Sequence, residues 1–422
     1  MPDVQTSDTE ISDGEARDRK PLIALMAAGA ISMSGNKMLD LAIPWFVLQT
    51  TGSIAKTGLT AFFTLLPTVL AGFLGGPIVD RLGFKRTSIV SDAASAVSVA
   101  LIPLLHATIG LEFWQLLGLV FAGAALDAPG TTARYSMLPD VAARAGASMD
   151  KAAAWHDAVS RSSTLSGPPI AGILIAVIGA QNVLWVDAAT FLVSIALVAV
   201  AIPSKTGERS EADEVPYLES LKQGLRFVAG DRLLLIVILT VTVTNVLDAI
   251  IGLVLLPAYF KEIFRSSVGL GLTFGAFGAG ALIGALIYGA VGDRFSRRRV
   301  FAVSFLIVSV RSFVYVPVPP LWILMAAVFL IGVGCGPLNP ILTRVEMARA
   351  PVEMRGRVIG AIIAIAWGAM PLGALVGGFV VEAIGIKPAL VAVGLLYVAV
   401  TLTLTVNPGV RDLDRISDTP SP

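Results

Sequence analysis

Long apolar runs, each broken by a short polar turn, fill the chain from Pro21 to about residue 407. A helix crossing a bilayer needs roughly 20 mainly apolar residues. Twelve runs reach that length: 22–49, 57–79, 87–109, 113–133, 154–178, 182–203, 232–260, 268–291, 299–318, 320–342, 358–383 and 387–407. The pattern predicts an all-α membrane protein of twelve transmembrane helices. One long polar interruption, from Pro203 to about Asp231, contains KTGERSEADEVP and separates six runs from six. The expected organisation is a disordered tail over 1–20, a six-helix bundle over 21–203, a linker over 204–231, a second six-helix bundle over 232–407 and a tail over 408–422. The first run is too long for the core of a signal peptide and reads as an uncleaved span.

Composition agrees with the pattern. A mean hydropathy of +0.80 with 14% charged residues leaves too much apolar surface for a soluble core of this length. Most of the 31 lysines and arginines fall in alternate loops together with both tails, which places both termini in the cytoplasm. A formal net charge of +1 gives no footprint for nucleic acid. The single cysteine, Cys335, excludes an intramolecular disulfide. No Gly-x4-Gly-Lys-Ser/Thr loop is present for ATP, and the glycines of GAFGAGALIG (275–284) lie in an apolar run and read as helix packing. His106 and His156 fall far apart in the topology, so no metal, cofactor or catalytic triad is expected. Trp45, Trp114 and Trp322 fall near outer ends and read as interface anchors.

The polar turns carry a repeat. GPIVDRLGFKR (76–86) holds Gly76, Asp80, Arg81, Gly83, Lys85 and Arg86; GAVGDRFSRRR (289–299) repeats the spacing with Gly289, Asp293, Arg294, Ser296, Arg298 and Arg299. Asp293 lies 213 positions after Asp80, Leu247-Asp248 lies 208 after Leu39-Asp40, and Gly378 lies 206 after Gly172. An internal duplication gives two pseudo-symmetric halves, with a substrate site at their interface near the midplane. Gly83 permits a tight turn with positive φ. Asp80 is placed to face the positive N-terminal dipole of a neighbouring helix.

The GPIVDRLGFKR loop and the duplication resemble the major facilitator superfamily over nearly the whole chain. PGTTARYSMLPD (129–140), GPPIAG (167–172), WVDAATFLVS (185–194), LKQGLRFV (221–228) and MRGRVIG (354–360) are similar to its drug:proton antiporter branch, which includes macrolide and tetracycline–aminoglycoside efflux pumps. The resemblance implies the major facilitator fold and a conformational gate in which Asp80 meets the helix beginning near Arg355 and Arg357. By symmetry Asp293 meets the start of the fifth helix near Lys151. It also implies a bend at Gly167, Pro168 and Gly172, with PLGALVGG (371–378) playing the equivalent part. Antiporters of the branch often carry Gly-Asp where this chain has Gly35-Asn36, and an arginine motif in the fourth span where this chain has Asp127 and, at the cytoplasmic end, Arg134.

Charges at membrane depth are functional candidates by default. Lys37 and Asp40 share a helical face; Asp40 reads as a proton acceptor or cation contact, or the two form a pair that only solves a burial problem. Asp248 takes the symmetry-related place beside Asn245, as a cavity group or as an acid bonded to helix backbone. Asp127, Asp187 and Arg311 are further intramembrane charges, and the resemblance of WVDAATFLVS to the family's sixth-span pattern implies a structural place between helices for Asp187. Asp157 and Arg161, at i and i+4, read as a structural pair. Arg134 either stays inside or snorkels to the headgroups.

The reading that follows is a monomeric, multi-pass, proton-coupled exporter of small amphipathic drugs or metabolites in a bacterial inner membrane, working by alternating access. Its partners are substrate, protons and the lipid bilayer. The excess of intramembrane acids favours cationic or neutral substrates. A lipid or nutrient transporter of the same fold, an intramembrane enzyme and a non-transporting scaffold are the alternatives. The enzyme lacks a nucleophile–base or metal set, and a scaffold needs no charges spread through both halves.

Overall fold

A computed structural model describes residues 18–203, 217–406 and 413, the side chains of 71–81, 217–218, 293 and 405–406 excepted. The described chain is helical throughout. In order run α1 (Lys20–Thr51), α2 (Ile54–Leu82), α3 (Phe84–Thr108), α4 (Phe113–Ser136), α5 (Leu138–Arg144), α6 (Met149–Ile178), α7 (Ala180–Ala201), α8 (Tyr217–Gly230), α9 (Arg232–Ala249), α10 (Leu256–Tyr259), α11 (Ser267–Val291), α12 (Arg297–Ser309), α13 (Leu321–Cys335), α14 (Leu338–Arg349), α15 (Arg355–Gly368), α16 (Met370–Ile384) and α17 (Ile386–Val406).

The ends follow from local chemistry. Ser148, Asp231, Ser266 and Ser296 each accept a hydrogen bond from a backbone N–H in the first turn of α6, α9, α11 and α12, replacing a partner the helix cannot supply. Gly52 closes α1 in the left-handed region at φ 65°, its N–H donating to the Leu48 carbonyl. α8 is amphipathic, with Val228 buried and Leu221 and Phe227 partly so in the core that also holds Val358 and Ala361 of α15.

Ten helical segments among the described residues are long and apolar enough to cross a membrane. The two other expected runs fall short for different reasons. In α2 the apolar stretch with described side chains, Ile54–Leu70, is shorter than a span. The run 299–318 is interrupted: α12 ends at Ser309 and the chain tightens into a 3₁₀ turn over Arg311–Tyr315.

Packing relies on small residues. On α11, Gly280 and Gly284 lie against Phe329 and Val333 of α13, where any Cβ would collide with backbone. Large apolar side chains such as Val177, Val200, Leu286 and Leu330 face outward, as lipid contact requires. The buried core is forked. At the end that carries Thr51 and Ser266, one cluster joins helices from both sides of the polar linker, including Trp45, Ile175, Leu255, Phe260 and Leu390. At the opposite end it divides: Leu22, Leu25, Leu138 and Val198 form one cluster, and Leu234, Phe301, Val345 and Leu404 belong to another.

Candidate functional site

Within α1–α7, against the joined cluster at Val99, Ile102, Val120 and Phe191, lies a cavity of about 520 Å³. Asn36, Lys37 and Asp40 reach it from α1, Thr60, Thr64 and Thr68 from α2, Ser95 from α3, and Asp127, Thr131 and Thr132 from α4. Ser160, Ser163 and Thr164 come from α6, Phe191 from α7, and Leu253 from the turn after α9. Met33, Leu65, Val99, Ile102 and Val120 make much of the remaining wall apolar. The cavity thus offers an apolar body with a few fixed charges and many hydroxyls, as an amphipathic ligand requires.

Two charged groups of residues stand in or directly behind its wall. Lys37 Nζ donates to Asp40 Oδ2 at 2.7 Å, and both side chains remain nearly half exposed, at 40% and 47%. The helical spacing i, i+3 makes the contact, and Gly167 of α6 makes room for it: a Cβ there would lie 2.5 Å from that of Lys37. The second group is buried. Arg134 Nη1 bonds Asp92 Oδ1 at 2.6 Å, while its Nη2 donates to Ser32 and Thr131, both at 3.3 Å, and lies 4.0 Å from Asp127 Oδ1. Asn36 Nδ2 donates to Asp127 Oδ2 at 3.0 Å and ties α1 to α4. Arg134 is 6% exposed and Asp92 fully buried, so the arginine does not snorkel: a nearby carboxylate in low dielectric outweighs the distant headgroups.

Asp187 is fully buried, with Thr190 Oγ1 donating to its Oδ1 at 3.3 Å. It presses on α1 at Gly35, whose missing side chain leaves the space it occupies. Asp157 and Arg161 pair at 3.7 Å on an exposed face of α6.

Asp248 and Arg311 lie outside the cavity wall. Arg311 Nη2 bonds Asp248 Oδ1 at 2.5 Å, so Asp248 is neither solitary nor bonded only to backbone. The guanidinium sits 5.1 Å from the centre of the Phe277 ring, and Tyr397 stands close to the pair. Asn245 donates instead to the Ala366 carbonyl of α15 at 2.9 Å.

The side chains expected to gate divide. The side chains of Asp80, Arg81 and Asp293 and the surroundings of Gly76 lie outside the described part of the structure. Gly83 adopts φ 77° before α3. Lys85 Nζ donates to the carbonyls of Ala199 and Ile202 at 2.8 and 2.5 Å, so it caps the C-terminus of α7. Arg86 and Arg294 are exposed. Arg355 donates to the Met347 carbonyl at 3.4 Å, and Arg357 to Gln223 of α8 at 2.6 Å.

The expected bend lies in an α6 that continues through Pro168 and Pro169. Ser267 Oγ donates to the Gly172 carbonyl at 2.9 Å, and the carbonyl of Pro168 occupies the space a Gly271 side chain would need. A matching seam joins α2 to α16, where a Cβ on Gly58 would lie 2.6 Å from the Cα of Gly378. There Glu382 Oε2 accepts from Ser53 Oγ at 2.6 Å and from the Ala55 N–H at 2.8 Å, capping α2 from the neighbouring helix. Trp45 is a correction: it is 6% exposed and lies under the Lys261 ammonium, whereas Trp114 and Trp322 are each 71% exposed.

Residues 19–421 match the family model of transmembrane secretion effectors within the major facilitator superfamily. The chain belongs to this family. The facilitator relatives span the same length. The chain is 33% identical to the multidrug efflux pump Tap of Mycobacterium tuberculosis over 401 residues, 94% of this chain and 96% of the relative. It is 21% identical to macrolide efflux protein A of Streptococcus pyogenes over 92% and 96% of the two chains. Among solved structures, the nucleoside transporter NupG superposes with a TM-score of 0.75 at 13% identity, covering 92% of this chain and 98% of that one, which establishes a shared fold. This facilitator is therefore a multi-pass bacterial membrane transporter and not an enzyme.

Sequence reasoning passed over Asp92 and Glu382. Asp92 had a signal, a carboxylate inside the run 87–109 with Ser91 and Ser95 beside it. Glu382 had a weaker one, an acid at the end of the run 358–383.

Proposed function

We propose that the protein is a proton-coupled exporter of small amphipathic molecules, monomeric in a bacterial inner membrane with both termini cytoplasmic. It has twelve spans in two pseudo-symmetric halves, 21–203 and 232–407, and works by alternating access. The observation that carries the reading is a forked core together with a cavity that mixes apolar wall, hydroxyls and charge. A carrier closed at one end and divided at the other holds its site open to one side only, here the cytoplasm, from which an exporter loads. The closed end supports the two-fold relation. Gly58 and Gly271 are 213 positions apart, Gly172 and Gly378 are 206 apart, and the first of each pair meets the second of the other in the two glycine seams.

The relatives named for multidrug and macrolide efflux support export of drug-like compounds. In the cavity Asp40, held by Lys37 yet half exposed, is a cation contact that a substrate can compete for. A carboxylate carried between water and a desolvated pocket changes its affinity for a proton, the physical requirement for coupling.

Purified protein in liposomes, given an imposed pH gradient and a panel of labelled macrolides, tetracyclines and lipophilic cations, tests the proposal. Accumulation of at least one compound that collapses with the gradient is the expected result. Identical movement of every compound with and without the gradient would overturn it.

A further inference from the structure

We infer that Asp127 is the residue that takes up and gives back the coupled proton. The inference rests on the proton-coupled reading above and assigns that reading its residue. The argument is one of charge and access. Among the described residues the groups that face Asp127 are Asn36 and the Lys37–Asp40 pair from α1, Asp92 from α3, Arg134 from α4 itself and Asp187 from α7. To the cavity wall α2 and α6 contribute hydroxyl and apolar groups. Lys37 and Asp40 cancel within their own 2.7 Å contact. Arg134 is the one cation left for Asp92, Asp127 and Asp187, and it is spent on Asp92 at 2.6 Å, standing 4.0 Å from Asp127.

Two carboxylates therefore exceed the local positive charge, and an ionised carboxylate without a partner is costly at this depth. Asp187 has no route for exchange: it is fully buried behind Gly35, and its Oδ2 has no hydrogen-bond partner. Asp127 has a route. Its side chain is 21% exposed and belongs to the cavity wall, while its Oδ1 has no hydrogen-bond partner. A proton arriving through the cavity adds to that carboxylate, turns an acceptor into a donor and removes one negative charge. Its return to water on the other side restores the charge. Thr131 and Asn36 hold Arg134 and Asp127 respectively, so a small displacement of α1 against α4 changes how much of Arg134 is shared with Asp127.

Infrared difference spectroscopy on the reconstituted full chain, titrated from acid to alkaline, reads the protonated-carboxyl stretch directly. The parent is expected to show a titrating carboxyl band that is lost in Asp127→Asn, kept in Asp40→Asn and restored in Asp127→Glu, which controls for folding. Asp92→Asn leaves Arg134 to Asp127 alone, and the band then titrates at lower pH, a change that a merely structural Asp127 would not make. A band that survives in Asp127→Asn, disappears in Asp40→Asn, or is absent from the parent overturns the assignment. Gradient-driven transport measured on the same parent preparation separates the two readings. A pumping parent whose band ignores Asp127→Asn sinks this inference alone, whereas a parent indifferent to the gradient sinks the coupled mechanism.

Discussion

The polar centres of α1–α7 and α9–α17 solve the same problem in different ways. Beyond Tyr217, Asp248 and Arg311 form a one-to-one pair with Phe277 and Tyr397 against it, so the charges cancel whatever the cavity contains. Before Pro203, Arg134 serves Asp92 directly and Asp127 at a distance, and the unspent carboxylate faces the cavity. A balanced pair fixes helices, whereas an unbalanced cluster open to water can store and release a proton. On the proposed mechanism the difference separates an anchor from a working part.

The largest effect is expected from breaking the balanced pair. Asp248→Leu strands a guanidinium that is only 11% exposed and should cost about 3–5 kcal/mol. Adding Arg311→Leu should recover most of the loss, as thermal melting in detergent will show. If the double variant is as unstable as the single one, Asp248 does more than balance Arg311.

The two seams sharpen the comparison at the closed end. Gly172→Leu and Gly378→Leu each place a side chain where backbone already stands, and each should cost roughly 1–3 kcal/mol. A large inequality between their melting temperatures would argue against the two-fold relation. The polar bonds on the seams differ, since Glu382 caps α2 with a charge and Ser267 bonds α6 without one. Glu382→Gln keeps an accepting oxygen but loses the charge at the α2 N-terminus, so it should cost about 0.3–1 kcal/mol, and distances between spin labels on α2 and α16 should broaden. Ser267→Ala should cost about 1 kcal/mol and leave those distances unchanged.

The smallest stability effect belongs to the cavity pair. Lys37→Ala removes a half-exposed ion pair and should change stability by less than about 1 kcal/mol. It frees Asp40, so binding of a lipophilic cation should tighten several-fold by calorimetry. Unchanged affinity would remove Asp40 from the substrate site.

Much of the architecture was legible because length and apolarity suffice to place a helix in lipid. The runs around α1, α3, α6, α7, α11 and α17 needed no further information. The break after Ser309 was not legible: an apolar run looks the same whether or not a 3₁₀ turn interrupts it, and Arg311 finds its partner 63 positions away on α9. The site was half legible. Lys37 and Asp40 meet because of their spacing along one helix, a local relation that sequence shows. Asp92, Asp127 and Arg134 meet because α3 and α4 pack with Gly130 against Ser91, and that register is a property of the folded pair. Glu382 was hidden for the same reason, since its partners lie more than 300 positions away on α2.

The central claim is that the unbalanced cluster works the pump and the balanced pair only supports it. Proteoliposomes carrying either Asp127→Asn or the Asp248→Leu, Arg311→Leu double variant, loaded with the same fluorescent lipophilic cation and given the same pH gradient, test it side by side. The account predicts that Asp127→Asn abolishes the gradient dependence of transport, while the double variant keeps it at a comparable rate. Gradient-driven transport that survives in Asp127→Asn and fails in the well-folded double variant would contradict it.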